Sequence, residues 1–236
     1  MRTYHRKLLI FGGFILTVAL GGLLFMASAP KEPAYDGKKL SAWLDELVAL
    51  NNSNRGGALN TPTKAVVAIG TNALPWLLKE LRADGNRLHW RCNQLLNKQS
   101  VIKYRFPDVN SRLRRAAFGF QVLGGLAEPA IPDLLKLVEV SPGYVPGALV
   151  GIGPLAMPAL SQCLTNTRSY VTDAGQIINP IPGNTIGAIH NALNAGRLSK
   201  SEVAILVPAI RNHAQSTNRN PAQYDYATPF LRDFDR

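Results

Sequence analysis

Nine basic residues stand between positions 82 and 115 (Arg82, Arg87, Arg91, Lys98, Lys103, Arg105, Arg112, Arg114 and Arg115), against two acidic ones, Asp84 and Asp108. Cations at that density bind anions, and the guanidinium fork in particular matches carboxylates and phosphates. His89, Trp90, Tyr104 and Phe106 are interleaved with them, amphipathic groups that pack or stack at a contact. Arg87, Trp90, Arg91, Lys98, Lys103, Arg105, Arg112 and Arg115 are therefore the candidate partner-binding residues, for an acidic protein first, with anionic lipid headgroups or nucleic acid as the other anionic partners. The plain alternative places Trp90, Leu95 and Leu96 in a core and leaves the cations as a solvated face.

Residue types that move protons or hold metals are thinly spread. The chain has no HExxH, Walker loop, GxSxG, CxxC or paired-carboxylate constellation, and its four histidines (His5, His89, His190 and His213) are scattered. His190, on the apolar stretch IGAIHNAL, reads as a satisfied core histidine rather than a ligand. Asp45 and Glu46 read as a solvated helix face, and Asp36-Gly37 lacks the ligand series of a calcium loop. No catalytic residue, cofactor site or metal site is assigned. Cys92 and Cys163 are too few for a disulfide framework, and read as two buried thiols or, in an oxidising compartment, one bridge.

The 236 residues carry a net charge of +11, of which Arg2, Arg6 and Lys7 supply three, so an excess of eight remains on the rest of the chain. A mean hydropathy of -0.01 with 46% hydrophobic residues is enough to build a core, which argues against disorder. From Leu8 to Met26 runs an uncharged stretch, LLIFGGFILTVALGGLLFM, preceded by Arg2, His5, Arg6 and Lys7. As a helix it would extend about 28 Å, close to the hydrocarbon thickness of a bilayer. The basic flank places the N-terminus in the cytoplasm and the body on the far side, a single-pass inner-membrane anchor with an extracytoplasmic domain. Ala27-Ser28-Ala29 offers the competing reading, a cleaved signal that releases a periplasmic or secreted body, but Pro30 would stand just after the cut.

What must position these residues is a repeat. Aligned on Gly70, Gly124 and Gly153, three segments share a small residue five before the glycine (Ala65, Gly119, Ala148) and Ile or Leu one before it (Ile69, Leu123, Ile152). Ala follows at three after (Ala73, Ala127, Ala156), Pro at five (Pro75, Pro129, Pro158), an apolar residue at seven (Leu77, Ile131, Leu160) and Leu at eleven (Leu81, Leu135, Leu164). Each glycine stops one helix in the left-handed conformation, and each proline opens the next, where no N–H donor is needed. Such units bury their apolar faces by stacking on one another.

The remaining elements follow from local signals. Residues 27–37 read as a linker, and Ser41 as the cap of a helix carrying Leu40, Trp43, Leu44, Leu47 and Val48. Thr61-Pro62 starts the helix that ends at Gly70, and an insertion with a helix around Leu88–Gln99 separates the first and second units. The later pairs are Arg112–Leu123 with Pro129–Val140, and Ser141–Ile152 with Ala156–Leu164. Thr165–Asn184 reads as a long loop, Ile186–Leu193 as a helix, and Ser199 with Glu202 as a capping box. Pro208 either kinks the last helix or begins a new turn. The boundaries expected are a basic tail at 1–7, an anchor at 8–26, a linker at 27–37, a helical array at 38–211 and a polar tail at 212–236, with Phe230, Leu231 and Phe234 as a docking element in that tail.

The segments IGTNALPWLLKEL, VLGGLAEPAIPDLLKLV and GIGPLAMPALSQCL resemble HEAT and HEAT-like repeats, and YDGKKLSAWLDEL resembles the start of bacterial membrane-anchored HEAT-repeat proteins of unassigned role. The resemblance covers residues 35–164. It implies an all-α fold, a short HEAT-like α-solenoid of stacked antiparallel helix pairs behind one N-terminal transmembrane or signal helix, with a curved face that binds a partner. HEAT arrays serve as scaffolds, as nucleic-acid binders and, in relatives of phycobilin lyases, as parts of enzymes. The expectation is a non-catalytic, membrane-anchored scaffold for an unidentified acidic protein, with nucleic-acid binding and an enzyme or lyase component as the alternatives.

Overall fold

The computed structural model describes residues 31–52, 60–82, 108–171, 177–217 and 225–236. It is mostly helical, and Glu32–Arg236 forms one compact unit. The expected anchor at 8–26 and the expected helix at Leu88–Gln99 lie outside the described residues. Among the described residues no helix is long and apolar enough to cross a membrane.

A hairpin of β1 (Ala34–Tyr35) and β2 (Lys38–Lys39) opens the unit, where a linker was expected. Asp36 and Gly37 both have positive φ, 51° and 70°, the geometry that an Asp-Gly pair gives a two-residue hairpin turn. Helix α1 (Leu40–Asn52) follows, with Leu40, Leu44 and Leu47 buried as the spacing predicts. Ser41 is not its cap. The helix starts one residue earlier, and the Ser41 N–H donates to Glu32 Oε1 at 2.7 Å.

The three aligned segments form α2 (Asn60–Ile69) with α3 (Leu74–Leu81), α4 (Val109–Leu123) with α5 (Ile131–Leu137), and α6 (Val145–Ile152) with α7 (Met157–Leu164). A 3₁₀ corner joins each pair: Gly70–Ala73, Gly124–Ala130 and Pro154–Ala156. Gly124 and Gly153 have φ of 54° and 89° with ψ of -133° and -149°. This is not the left-handed helical conformation expected but a more extended positive-φ region, which glycine alone occupies readily. Ala73, Ala127 and Ala156 are fully buried in the corners.

The second unit departs from the shared spacing. Ile131 and Leu135 are half-buried, and Leu134 and Leu137 take the core positions instead. The longer corner explains this. A 3₁₀ residue advances the chain by about 120° against about 100° for an α residue, so three additional 3₁₀ residues turn the following helix by roughly 60° and bring the preceding position inward. Helix α4 begins at Val109 rather than Arg112, because the Asp108 side chain caps it by accepting from the Ser111 N–H at 3.0 Å.

Beyond Leu164 the expected long loop is a second short hairpin, β3 (Tyr170–Val171) with β4 (Ile177–Ile178), and then α8 (Pro180–Asn194), capped by the Asn179 side chain on the Ile181 N–H. The Ser199–Glu202 capping box is formed at α9 (Lys200–Val203). A 3₁₀ corner, Ala204–Leu206, precedes α10 (Val207–Thr217), so Pro208 stands in the first turn of a new helix. This is the shared pattern once more, with Val203 in place of the glycine: Leu206 at three after, Pro208 at five and Ile210 at seven, the two apolar residues buried. The tail expected to be loop-like contains α11 (Ala227–Phe234), and Phe230 is fully buried. The core is continuous from Leu40 to Phe230. Helix α6 packs against α4 on one side and α8 on the other, and α2 packs on α4.

Candidate functional site

Arg87, Trp90, Arg91, Lys98, Lys103 and Arg105 lie outside the described residues. Arg112 and Arg115 are described, and both are engaged within the chain. Arg112 donates from Nε and Nη2 to the two oxygens of Glu80, at 2.9 and 2.8 Å, and Arg115 Nη2 stands 3.6 Å from Glu80 Oε2. Arg115 Nη1 also donates to both oxygens of Asp45, at 3.0 and 2.9 Å. The Glu80 side chain is 7% exposed, and its hydrogen bond raises the pKa of Arg112 above the ordinary arginine value against the opposing effect of burial. These two arginines neutralise buried charge and tie α1, α3 and α4 together. Positions 112 and 115 share a helix face; Arg114, between them in sequence, points elsewhere.

Arg114 opens onto a groove of roughly 380 Å³ built by one face from each of three neighbouring helices. Helix α4 presents Arg114, Ala117, Phe118 and Gln121, the i, i+3, i+4, i+7 set that lies along one side of a helix. Helix α8 presents Asn184, Gly187, Ala188 and Asn191 in the same spacing. Between them α6 contributes Gly147 and Val150, and the turn before it Gly143 and Tyr144. A Cβ at Gly143 or Gly147 would meet nothing within 4 Å, so the floor is open there. Tyr226 completes the wall from the C-terminal segment, its ring lying against α8 where Gly183 and Gly187 leave room.

No carboxylate lines this groove. Arg114, and Arg197 from the turn after α8, both line the groove, are exposed and have no ion pair among the described residues. Although its side chain reaches water, the groove wall desolvates part of Arg197 with no acid to compensate, which lowers its pKa from the ordinary arginine value. Asn184 donates to the Pro142 carbonyl at 3.0 Å, and the Tyr144 hydroxyl donates to Asn110 Oδ1 at 3.4 Å, so two rim groups are fixed. The side-chain amides of Gln121 and Asn191 carry no hydrogen bond within the described residues, and each offers a donor and an acceptor. The ionisable groups of the groove are two arginines and two tyrosines. It is equipped to hold an anion and to hydrogen-bond amides, and it contains no carboxylate, histidine or thiol to shuttle a proton.

The chain matches no family model, no curated protein and no solved structure.

Two other cavities are less equipped. One of roughly 510 Å³ between α7 and α10 has His213 as its ionisable group, and one of roughly 160 Å³ lies beside the C-terminal helix. There His190 Nε2 is 3.2 Å from Asp233 Oδ2 and its ring meets Phe230 edge-on, the satisfied histidine that its apolar surroundings predict. Cys163 is a free, buried thiol whose pKa burial pushes up to about 11, and Cys92 lies outside the described residues. Among the described residues no group of His, Cys, Asp and Glu could hold a metal ion.

The groove was accessible to sequence reasoning through the repeat. Six and three residues before the corner glycine stand Phe118 and Gln121 in the second unit and Gly147 and Val150 in the third, all lining the groove. They fall between the constant positions and vary from unit to unit: Phe118, Gln121 and Gly147 are half-buried, and Val150 is buried beneath the groove.

Proposed function

We propose that the chain is a membrane-anchored, non-catalytic scaffold, its helix pairs stacked antiparallel as a short HEAT-like α-solenoid, that captures an acidic protein in the groove across α4, α6 and α8. The observation that supports this best is the groove itself: two arginines without acidic partners, free amides and an open glycine floor on three adjacent helix faces. An array of this kind gives a rigid, extended surface at low cost in ordering. Residues 8–26 anchor it in the inner membrane with the body outside the cytoplasm, and the basic segment between Arg87 and Arg105 adds to the attraction for an acidic partner.

A photo-crosslinking amino acid at Asn191, in the full-length chain in cells, tests the groove. The expected result is an adduct that is absent when the same group replaces Gln162, an exposed residue outside the groove, and that disappears when Arg114 and Arg197 are reversed to Glu. Adducts that survive this reversal but vanish on reversing Arg87, Arg91 and Arg105 would move the contact to the inserted segment and overturn the assignment. Digestion of a C-terminal tag in cells with a permeabilised outer membrane, with the protein retained in a carbonate-washed pellet, is the expected topology; a protected tag would place the body in the cytoplasm.

A further inference from the structure

We infer that the groove continues onto α2, and that its occupant is an acidic polypeptide lying extended across the helices from Lys64 to Arg197. The inference rests on the groove reading and adds its extent and the chemistry of what fills it. In α2 the residues six and three before the corner glycine are Lys64 and Val67, and both are exposed, Val67 by 42%. Their counterparts, Phe118 with Gln121 and Gly147 with Val150, line the groove on the next two units, and α2 packs directly on α4. The surface therefore runs over four helices. Lys64, like Arg114 and Arg197, has no ion pair among the described residues, whereas Arg112 and Arg115 are neutralised by Glu80 and Asp45. Of the lysines and arginines on α2, α4, α6, α8 and the turn after α8, these three are the ones left without an ion pair among the described residues.

The span selects the ligand. Four helices side by side place the outer two about 24–30 Å apart, because packed helix axes are separated by about 8–10 Å. A free carboxylate or phosphate cannot reach both ends, whereas an extended chain rising about 3.3 Å per residue covers the distance with roughly eight or nine residues. A nucleic-acid strand in duplex geometry would bring a phosphate about every 3.4 Å, and three cations would leave most of them uncompensated. A polypeptide can carry carboxylates only where the cations stand, and its peptide groups match the free amides of Gln121 and Asn191.

Fluorescence anisotropy with the full-length protein in detergent micelles tests this, using labelled peptides of alternating glutamate and serine, a dodecamer and a hexamer. The dodecamer should bind at least fivefold tighter than the hexamer. Lys64→Gln should lower the dodecamer to the affinity of the hexamer and leave the hexamer unchanged, while Arg197→Gln weakens both. Gly147→Phe, placed in open space, should block both peptides with the circular dichroism spectrum intact. A dodecamer indifferent to Lys64→Gln would overturn the extension alone. If both peptides were indifferent to Arg114→Gln and Arg197→Gln, the groove reading itself would fall. A thymidine dodecamer that bound more tightly than the peptide would replace the polypeptide with nucleic acid.

Discussion

Two glycines one turn apart on α6 should respond in opposite directions to the same methyl group. A Cβ on Gly147 meets nothing within 4 Å, so Gly147→Ala gains helix propensity without a steric penalty, worth about 0.5–1 kcal/mol. A Cβ on Gly151 would stand 2.6 Å from Gln121 Cα and 2.9 Å from its Cβ. Those atoms belong to the backbone and root of α4, which cannot swing aside as a side-chain tip can, so α4 and α6 must separate. Overpacking of that kind costs about 1–3 kcal/mol. Near the end of α6 the propensity gain offsets little of it. For a body of this size one kcal/mol moves the midpoint by about 2–4 °C, so thermal unfolding followed by circular dichroism should show Gly147→Ala up by about 1–4 °C and Gly151→Ala down by about 2–12 °C. Equal shifts of the same sign would refute the close approach of α4 and α6 on which the groove floor depends.

Glu80→Gln leaves Arg112 and Arg115 without their buried carboxylate, and losing one partner of a buried pair costs about 3–5 kcal/mol. Urea unfolding should show that loss, and replacing Glu80 and Arg112 together by Leu and Met should restore much of it. His213 has its pKa lowered, first by burial and only partly offset by the charge of Asp225. The unfolded chain then binds a proton more readily than the folded one, so the stability this histidine contributes is present above its unfolded pKa and is lost as the pH falls below that value through the folded one. Melting curves taken between pH 7.5 and 5 should therefore fall in the wild type and flatten in His213→Gln; parallel curves would exclude the linkage.

The corners were legible because they combine a glycine, a buried alanine and a proline at fixed spacing, and no other local structure needs all three. The fourth corner was not, because Val203 closes a helix of only four residues and requires no positive φ. Pro180 opens α8 six residues ahead of Ile186, where the apolar spacing predicts the helix, because Pro180, Pro182 and Gly183 read as loop, although Asn179 caps the helix and Ile181 is already buried. Phe230, Leu231 and Phe234 read as a docking element in the tail, and Phe230 does dock beside His190, but the helix that carries them was hidden in polar sequence. At the site, composition marked the arginines of α4 but not their directions. A helical step of about 100° per residue sends Arg112 and Arg115 toward Glu80 and Arg114 into the groove, and only the position of Glu80 on a distant segment decides which side is neutralised.

The Glu80–Arg112 pair also changes what holds the body together. Helix α3 ends at Leu81 and α4 begins at Val109, so in the chain they are joined only by the long basic segment between them. In space they are clasped by that ion pair, by the apolar seam of Leu77 against Gly119, and at one remove by Ser141 Oγ donating to the Leu81 carbonyl at 2.7 Å. Separating α3 from α4 must therefore strip a buried carboxylate of its partner and open the Leu77–Gly119 seam, a cost set by the two helices themselves.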